Sequence, residues 1–132
     1  MIEEIRIAST EREEIIDITH QVKDAVKRSG VTDGICVVFA LHATAAITVL
    51  ENHDPNICHD FLDCLSGHVP SGKWRHDQVD GNGDSHIKAG LVGPSETFII
   101  RAGKIALGTW QSVVACEFDG PRSDRTIIVK VG

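Results

Sequence analysis

At 132 residues the chain has the length of one domain, and no apolar run approaches the roughly 20 residues that a membrane span needs. Hydrophobic content of 42% is ordinary for a globular protein. A net charge of −6, from 19 acidic and 13 basic residues, argues against nucleic acid as a partner, because phosphate neutralisation requires clustered Lys and Arg. A small anionic ligand stays compatible with a locally basic pocket.

In chain order, residues 2 to 9 alternate as a strand with Ile5 and Ile7 on one face, and Glu13 to Ile18 forms a second short strand. Asp17 or Thr19 caps a helix to about Ser29, buried through Val22, Ala25 and Val26 and stopped by Gly30. Ile35 to Leu41 is continuously apolar, which predicts a central strand covered on both faces, with Ala45 to Leu50 as its neighbour. Asp54-Pro55 opens a second helix, whose stripe is Ile57, Phe61, Leu62 and Leu65 and which Gly67 ends. Residues 68 to 81 have the composition of a loop. Strands then follow at about 84 to 92, 96 to 101, 105 to 118 and 125 to 131. The fold class is α+β, a β-rich single domain over 1–132, mainly antiparallel and sandwich-like, with two helices.

Cys36, Cys58, Cys64 and Cys116 contain no CxxC pair, and the start of the chain lacks the charged-then-apolar order of a signal peptide. Buried thiols and a cytoplasmic location are the expectation.

The stretch Asp80-Gly-Asn-Gly-Asp-Ser-His-Ile-Lys88 stands apart. Read as extended backbone, it projects Asn82, Asp84, His86 and Lys88 to one face, where a buried strand would carry Val or Ile. Such a row suits the wall of a polar site. It is not an EF-hand: Ser85 stands where the loop needs glycine and Leu91 where it needs a bidentate Glu.

His42-Ala-Thr44 ends the apolar strand, and Trp74-Arg75-His76 lies in the loop. If the loop folds over the sheet, His42, His76 and His86 could form a three-histidine set for zinc or another divalent metal. Asp84 or Glu51 would then be an outer acceptor or a fourth ligand. The competing account is a turn histidine at a strand end, and His20, His53, His59 and His68 are expected on the solvated surface. Farther on, Trp110 is either a pocket wall or an ordinary core residue. Glu117 and Asp119 face Arg122 and Arg125, as a salt-bridged turn or as an anion site.

Taken together these segments resemble the YjbQ family of secondary thiamine-phosphate synthase-like proteins. The resemblance rests on His42-x-Thr44, Glu51-Asn52-x-Asp54-Pro55, Trp74-x-His76, Gly81-Asn82-x-Asp84-x-His86-Ile-Lys88-Ala89, Gly93-Pro94-Ser95, Leu107-Gly-Thr-Trp-Gln111 and Glu117-Phe-Asp-Gly-Pro-Arg122. It implies a β-rich homotrimer with a polar, metal-binding cavity near the subunit boundary, and His42, His76 and His86 match the metal ligands. Asp84, Glu51 and Lys88 are the candidate catalytic groups, and Thr44, Asn52, Asn82, Ser95, Gln111 and Arg122 the candidate substrate contacts. Ala43 and Leu50 depart from polar residues common in the family, and Gly83 and Ser85 from small alanines.

The family label implies joining an aminopyrimidine methyl diphosphate to a thiazole phosphate, with Lys88, Arg122 or Arg125 and a divalent cation stabilising the leaving diphosphate. Magnesium favours oxygen ligands, whereas three histidines favour zinc-like ions. A metal-dependent hydrolase or lyase and a non-catalytic metal or metabolite-binding module are therefore the alternatives. The partners expected are a small anionic molecule and copies of the chain itself, with no membrane and no nucleic acid.

Overall fold

The computed structural model describes all 132 residues, as eight strands and three helices in one α+β unit. The strands are β1 (Ile2–Ile7), β2 (Glu14–Asp17), β3 (Gly34–Ala40), β4 (Ala45–Leu50), β5 (Ser95–Arg101), β6 (Lys104–Ile105), β7 (Ser112–Glu117) and β8 (Arg125–Val131). The helices are α1 (Thr19–Ser29), α2 (Pro55–His68) and α3 (Gly83–Val92), with a 3-10 turn at Arg75–Gln78. None is long and apolar enough to cross a membrane.

Local signals placed α1 and α2. Gly30 takes the left-handed conformation (φ 70°) that ends α1 and returns its N–H to the Lys27 carbonyl. Asp54 caps α2 by accepting the Asn56 N–H at 3.0 Å, and Pro55 occupies the first turn, where no amide donor is needed.

Two antiparallel sheets result, in the orders β1-β8-β3-β5-β6 and β2-β7-β4. They share one core with α1, to which Val38, Ala40, Ile127 and Val129 contribute from the first sheet and Ile47, Val113 and Ala115 from the second. The reverse face of the second sheet packs Ala46, Val114 and Cys116 with Phe118 against Phe61, Leu62 and Leu65 of α2 and Ala89 of α3. Strand β7 is therefore buried at every residue.

Two expectations change here. Ala45 to Leu50 is not the neighbour of β3: it pairs with β7 in the other sheet, while β3 lies between β8 and β5. Nor is β3 covered on both faces. Cys36, Val38 and Ala40 point into the core, but Ile35 and Phe39 are 44% and 40% exposed. An apolar run can thus mark a strand with one face open, because composition records the apolar groups and not what covers them.

The sheets are joined at one end by a buried ion pair. Arg125, at the start of β8, donates from Nε to Glu117 Oε1 at 3.0 Å and from Nη2 to Glu117 Oε2. It also reaches Thr44 Oγ1 at 2.9 Å, while Ser9 Oγ donates to Glu117 Oε1 at 2.7 Å. Burial alone would raise the Glu117 carboxyl, but the bonds from Arg125, Ser9 and the Asp119 N–H outweigh it and hold it below the usual range.

Removing one partner of such a pair leaves a buried charge unmatched, so Arg125→Ala is expected to lose about 3–5 kcal/mol in urea unfolding. Arg122→Ala, which breaks the half-exposed Arg122–Asp119 bridge, is expected to lose at most about 1 kcal/mol. Equal losses would contradict the division of labour. All four thiols are free, and burial pushes Cys36 to about 11 and Cys116 to about 12. At pH 8 a thiol reagent is expected to label exposed Cys64 in the native protein, and Cys36 and Cys116 only after unfolding.

Candidate functional site

The row that suggested a polar wall is not a strand. Residues 83 to 92 form α3, so Asn82, Asp84, His86 and Lys88 do not share one face. At 3.6 residues per turn Asp84 and Lys88 stack one turn apart, and with Ser85 and Ala89 they form the buried side. His86 stands off that face, and Asn82 precedes the helix. The inner side of α3 is charged, so its helical period carries no apolar signature; Gly83 and Gly90 weaken the signal further.

That charged face is matched group for group. Lys88, 1% exposed, spends its three ammonium protons on Glu13 Oε2 at 3.1 Å, Ser66 Oγ at 3.1 Å and Asp84 Oδ2 at 3.3 Å. Asp84 takes a further bond from Arg12 Nη2 at 3.0 Å, and Ser85 Oγ donates to the Phe118 carbonyl at 2.5 Å. Asp84 and Lys88 are therefore interior fastenings, and neither lines the clefts formed by His76 and His86 or by Gln111.

The open site lies at the N-terminal end of α3. The His76 and His86 rings meet edge to face with centroids 4.6 Å apart. They line a cleft of about 650 Å³ with Lys73, Trp74, Arg75, Gly83 and Ile87. Asp77, which sequence reasoning passed over, aligns this pair. Its carboxylate accepts the Trp74 N–H at 3.0 Å and the Gly83 N–H at 2.8 Å, tying the 3-10 turn that carries His76 to the helix that carries His86. Those two backbone bonds hold the Asp77 carboxyl below its ordinary value. Trp74 is anchored in turn by donating Nε1–H to the Pro70 carbonyl at 2.6 Å. The spacing of Asp77 three residues after Trp74 fits a turn-capping carboxylate, a signal too common in loops to single it out.

His42 is placed elsewhere. Its Nε2 accepts the Thr126 N–H at 2.8 Å at the edge of β8, and the ring lines a small gap between the sheets with Glu117 and Arg125. Burial first, and the nearby Arg125 charge second, lower its pKa and favour the neutral ring that this bond needs. No group of three or more His, Cys, Asp or Glu side chains in the chain is arranged to hold a metal ion. The three-histidine set expected from the sequence is thus not assembled within one chain, which brings together only His76 and His86.

The other candidates are dispersed. Glu51 accepts the His53 and Asp54 N–H groups, both at 3.2 Å, in the turn leading to α2. Asn52 bonds Asp17 and Cys58, and Thr44 is buried against Arg125. Ser95 opens β5 opposite Phe39. Gln111 accepts the Gly108 N–H at 2.8 Å and lines a different cleft, beside which Trp110 stands 63% exposed and not in the core. Arg122 pairs with Asp119, whose other contact is the Asn82 amide at 2.8 Å. Asn82 keeps one buried carbonyl oxygen without a partner.

The family model described as UPF0047 protein YjbQ-like matches residues 3–132. A UPF0047 protein of Methanocaldococcus jannaschii is 45% identical over 99% of this chain and 94% of its own length. YugU of Bacillus subtilis, also a UPF0047 protein, is 38% identical over 99% and 98%. Among solved structures, a YbjQ-like protein of unknown function from Sulfolobus solfataricus superposes with a TM-score of 0.96 at 37% identity, covering 99% of this chain and 95% of that one. An uncharacterised YjbQ/UPF0047 protein from Clostridium acetobutylicum gives 0.94 at 46% identity, covering 98% and 99%.

The closeness of Asp77, Trp74 and Gly83 leads to a mutational contrast. A Cβ on Gly83 would lie 2.7 Å from Trp74 Cβ and 2.9 Å from Asp77 Oδ1, whereas one on Gly90 of the same helix meets nothing within 4 Å. Gly83→Ala is expected to destabilise by about 1–3 kcal/mol. Gly90→Ala is expected to be neutral or to stabilise by up to about 1 kcal/mol. Denaturant midpoints for the two variants check this, and a Gly83→Ala midpoint equal to the wild type would refute the close approach.

Proposed function

Because the chain belongs to the YjbQ-like UPF0047 family, we propose that it acts as a cytoplasmic homotrimer binding a small anionic molecule at the His76–His86 cleft, with thiamine-phosphate synthase chemistry as its reaction. The supporting observation is the joining of this imidazole pair to two cations, Lys73 and Arg75, on one cleft wall. Lys73 lies over the Trp74 ring at 5.1 Å, and neither cation is within ion-pair distance of a carboxylate. On a protein of net charge −6, unmatched cations beside two imidazoles favour an anionic guest.

In that reaction the thiazole nitrogen attacks the methylene of the aminopyrimidine, the carbon–oxygen bond to the diphosphate breaks, and the electron pair leaves with the diphosphate. Lys73 and Arg75 would take up the charge that develops on the leaving group. The attacking thiazole nitrogen carries no proton and needs no base, so the imidazole pair would act at the other end, as a hydrogen-bond or proton donor to the leaving diphosphate. The roles first assigned to Lys88 and Asp84 pass to these groups, because Lys88 has no uncommitted proton.

A divalent ion at His76 and His86 would need its remaining ligands from water, from phosphate oxygens or from another subunit, and no step here depends on it. Self-association is supported by the open face of the five-stranded sheet. There Ile35 pairs with Ile99 and Phe39 with Ile128, and Ile99 is 58% exposed. The number of subunits, three, follows from the family resemblance.

Purified protein supplied with the two phosphorylated substrates is expected to form thiamine phosphate, detected chromatographically. Lys73→Ala combined with Arg75→Ala, and His86→Ala by itself, are each expected to reduce the rate by roughly 10²-fold or more. A folded His86→Ala protein that works at the wild-type rate would remove the pair from the chemistry. Metal content measured on the same samples is expected to fall in His86→Ala, and an unchanged content would dismiss an ion at this position.

A further inference from the structure

We propose that a second cleft, between α1 and the β5–β6 hairpin, binds a phosphorylated ring compound, with its phosphates against Lys23, Lys27 and Lys104. Two depressions of about 610 Å³ and about 510 Å³ share His20, Lys23 and Ile105, so they are adjoining lobes of one surface. The lobes differ in chemistry. The smaller is cationic, adding Lys27 and Lys104 to the shared Lys23, with Asp24 as its one carboxylate. The larger adds neutral hydrogen-bonding groups from Thr109, Gln111 and Ser112, and the His53 ring. Its carboxylate, Asp17, has one oxygen on the Thr19 N–H and the other on the Asn52 amide, and so is internally engaged.

The cations are held together at a cost. Lys23 and Lys27 stack one turn apart on α1, where like charges repel. Lys104 is brought beside them by the tight turn of the hairpin, in which Ala102 (φ 53°) and Gly103 (φ 77°) both take left-handed backbone. Ile105, next along, is buried in the core and fixes the hairpin there. None of the three lysines has a carboxylate within ion-pair distance, although the chain carries 19 acidic residues. A multiply charged anion would relieve this repulsion, and two linked phosphates match a group of three ammonium ions better than a single carboxylate does.

The neutral lobe suits the rest of such a ligand. Trp110 lies 63% exposed between the lobe-lining Thr109 and Gln111, and its ring meets the lobe-lining His53 edge to face with centroids 5.0 Å apart, so an aromatic surface is within reach of a ring seated there. Gln111 and Thr109 supply donors and acceptors for a nitrogen heterocycle or a sugar. This cleft shares no residue with the His76–His86 cleft, so the proposal is independent of the reading above.

Calorimetry of the full chain with adenosine diphosphate and, separately, with inorganic pyrophosphate tests it. Both probes are expected to bind, the nucleotide more tightly. Lys27→Glu combined with Lys104→Glu, on exposed side chains that leave the core untouched, is expected to weaken both by roughly tenfold or more. Trp110→Ala is expected to weaken only the nucleotide, and His86→Ala neither. Absence of binding by both probes, equal affinity in the double charge reversal, or loss in His86→Ala would each overturn the assignment.

Discussion

Lys88 shows what holds this molecule in its working shape. An ammonium ion offers three protons, and the interior supplies three acceptors, one from its own helix, one from α2 and one from the residue entering β2. Burying such a charge unmatched would cost several kcal/mol, so α3 can pack only where Asp84, Glu13 and Ser66 already converge. The geometry of the ligands therefore fixes the helix more sharply than apolar contact would, since apolar surfaces tolerate sliding and three hydrogen bonds do not. Everything at the N-terminal end of α3 inherits that position. The Gly83 N–H meets Asp77, Asp77 reaches Trp74, and the turn between them delivers His76 to His86. An ion pair inside the fold thus sets the spacing of two imidazoles at its surface.

The layers follow a similar logic of coverage. Strand β7 has an apolar neighbour on each side, the shared core on one face and α2 with α3 on the other, and is buried throughout. Strand β3 has equally apolar residues but only one covering layer, which leaves Ile35 and Phe39 open. Two strands of like composition differ in surroundings because the helices that could cover β3 pack elsewhere: α1 fills the edge of the core and α2 and α3 close the second sheet. The open face is thus an apolar strip of Ile35, Phe39 and Ile99 that no element of the single chain covers.

What the sequence revealed depended on whether the deciding signal was local. Helix α1 was legible from the apolar positions Val22, Ala25 and Val26 and the stop at Gly30, and α2 from Asp54-Pro55, because caps and stripes lie within a few residues. Helix α3 was not, because its buried face is Asp84, Ser85 and Lys88 and its partners Arg12, Glu13 and Ser66 lie far away along the chain. Taken without those partners, the alternation of polar residues resembled a strand. The pairing of His76 with His86 was within reach, since both were picked out as site histidines. The placing of His42 was not, because its ring answers to the Thr126 N–H, a contact set by how β8 meets β3. Family resemblance named residues along the chain but carried no information about which of them face a common space.

The same contrast separates structural from functional charge. Lys88 and Glu117 are conspicuous charges, yet each has its hydrogen-bonding capacity met inside the protein, and Arg125 turns its Nε and Nη2 inward to Glu117 and Thr44. A charge so satisfied gains nothing from a ligand and would lose its present partners on turning toward one. Lys73, Arg75, Lys23, Lys27 and Lys104 have the opposite character, being exposed, lining clefts and lacking a carboxylate partner. Their free energy is lowered most by an anion that arrives from solution. On a chain with six more negative than positive charges, attraction between unlike surface charges would ordinarily pair such lysines with neighbours. That they line two clefts unpaired is why binding is assigned to these groups and not to the more conspicuous charges within the fold.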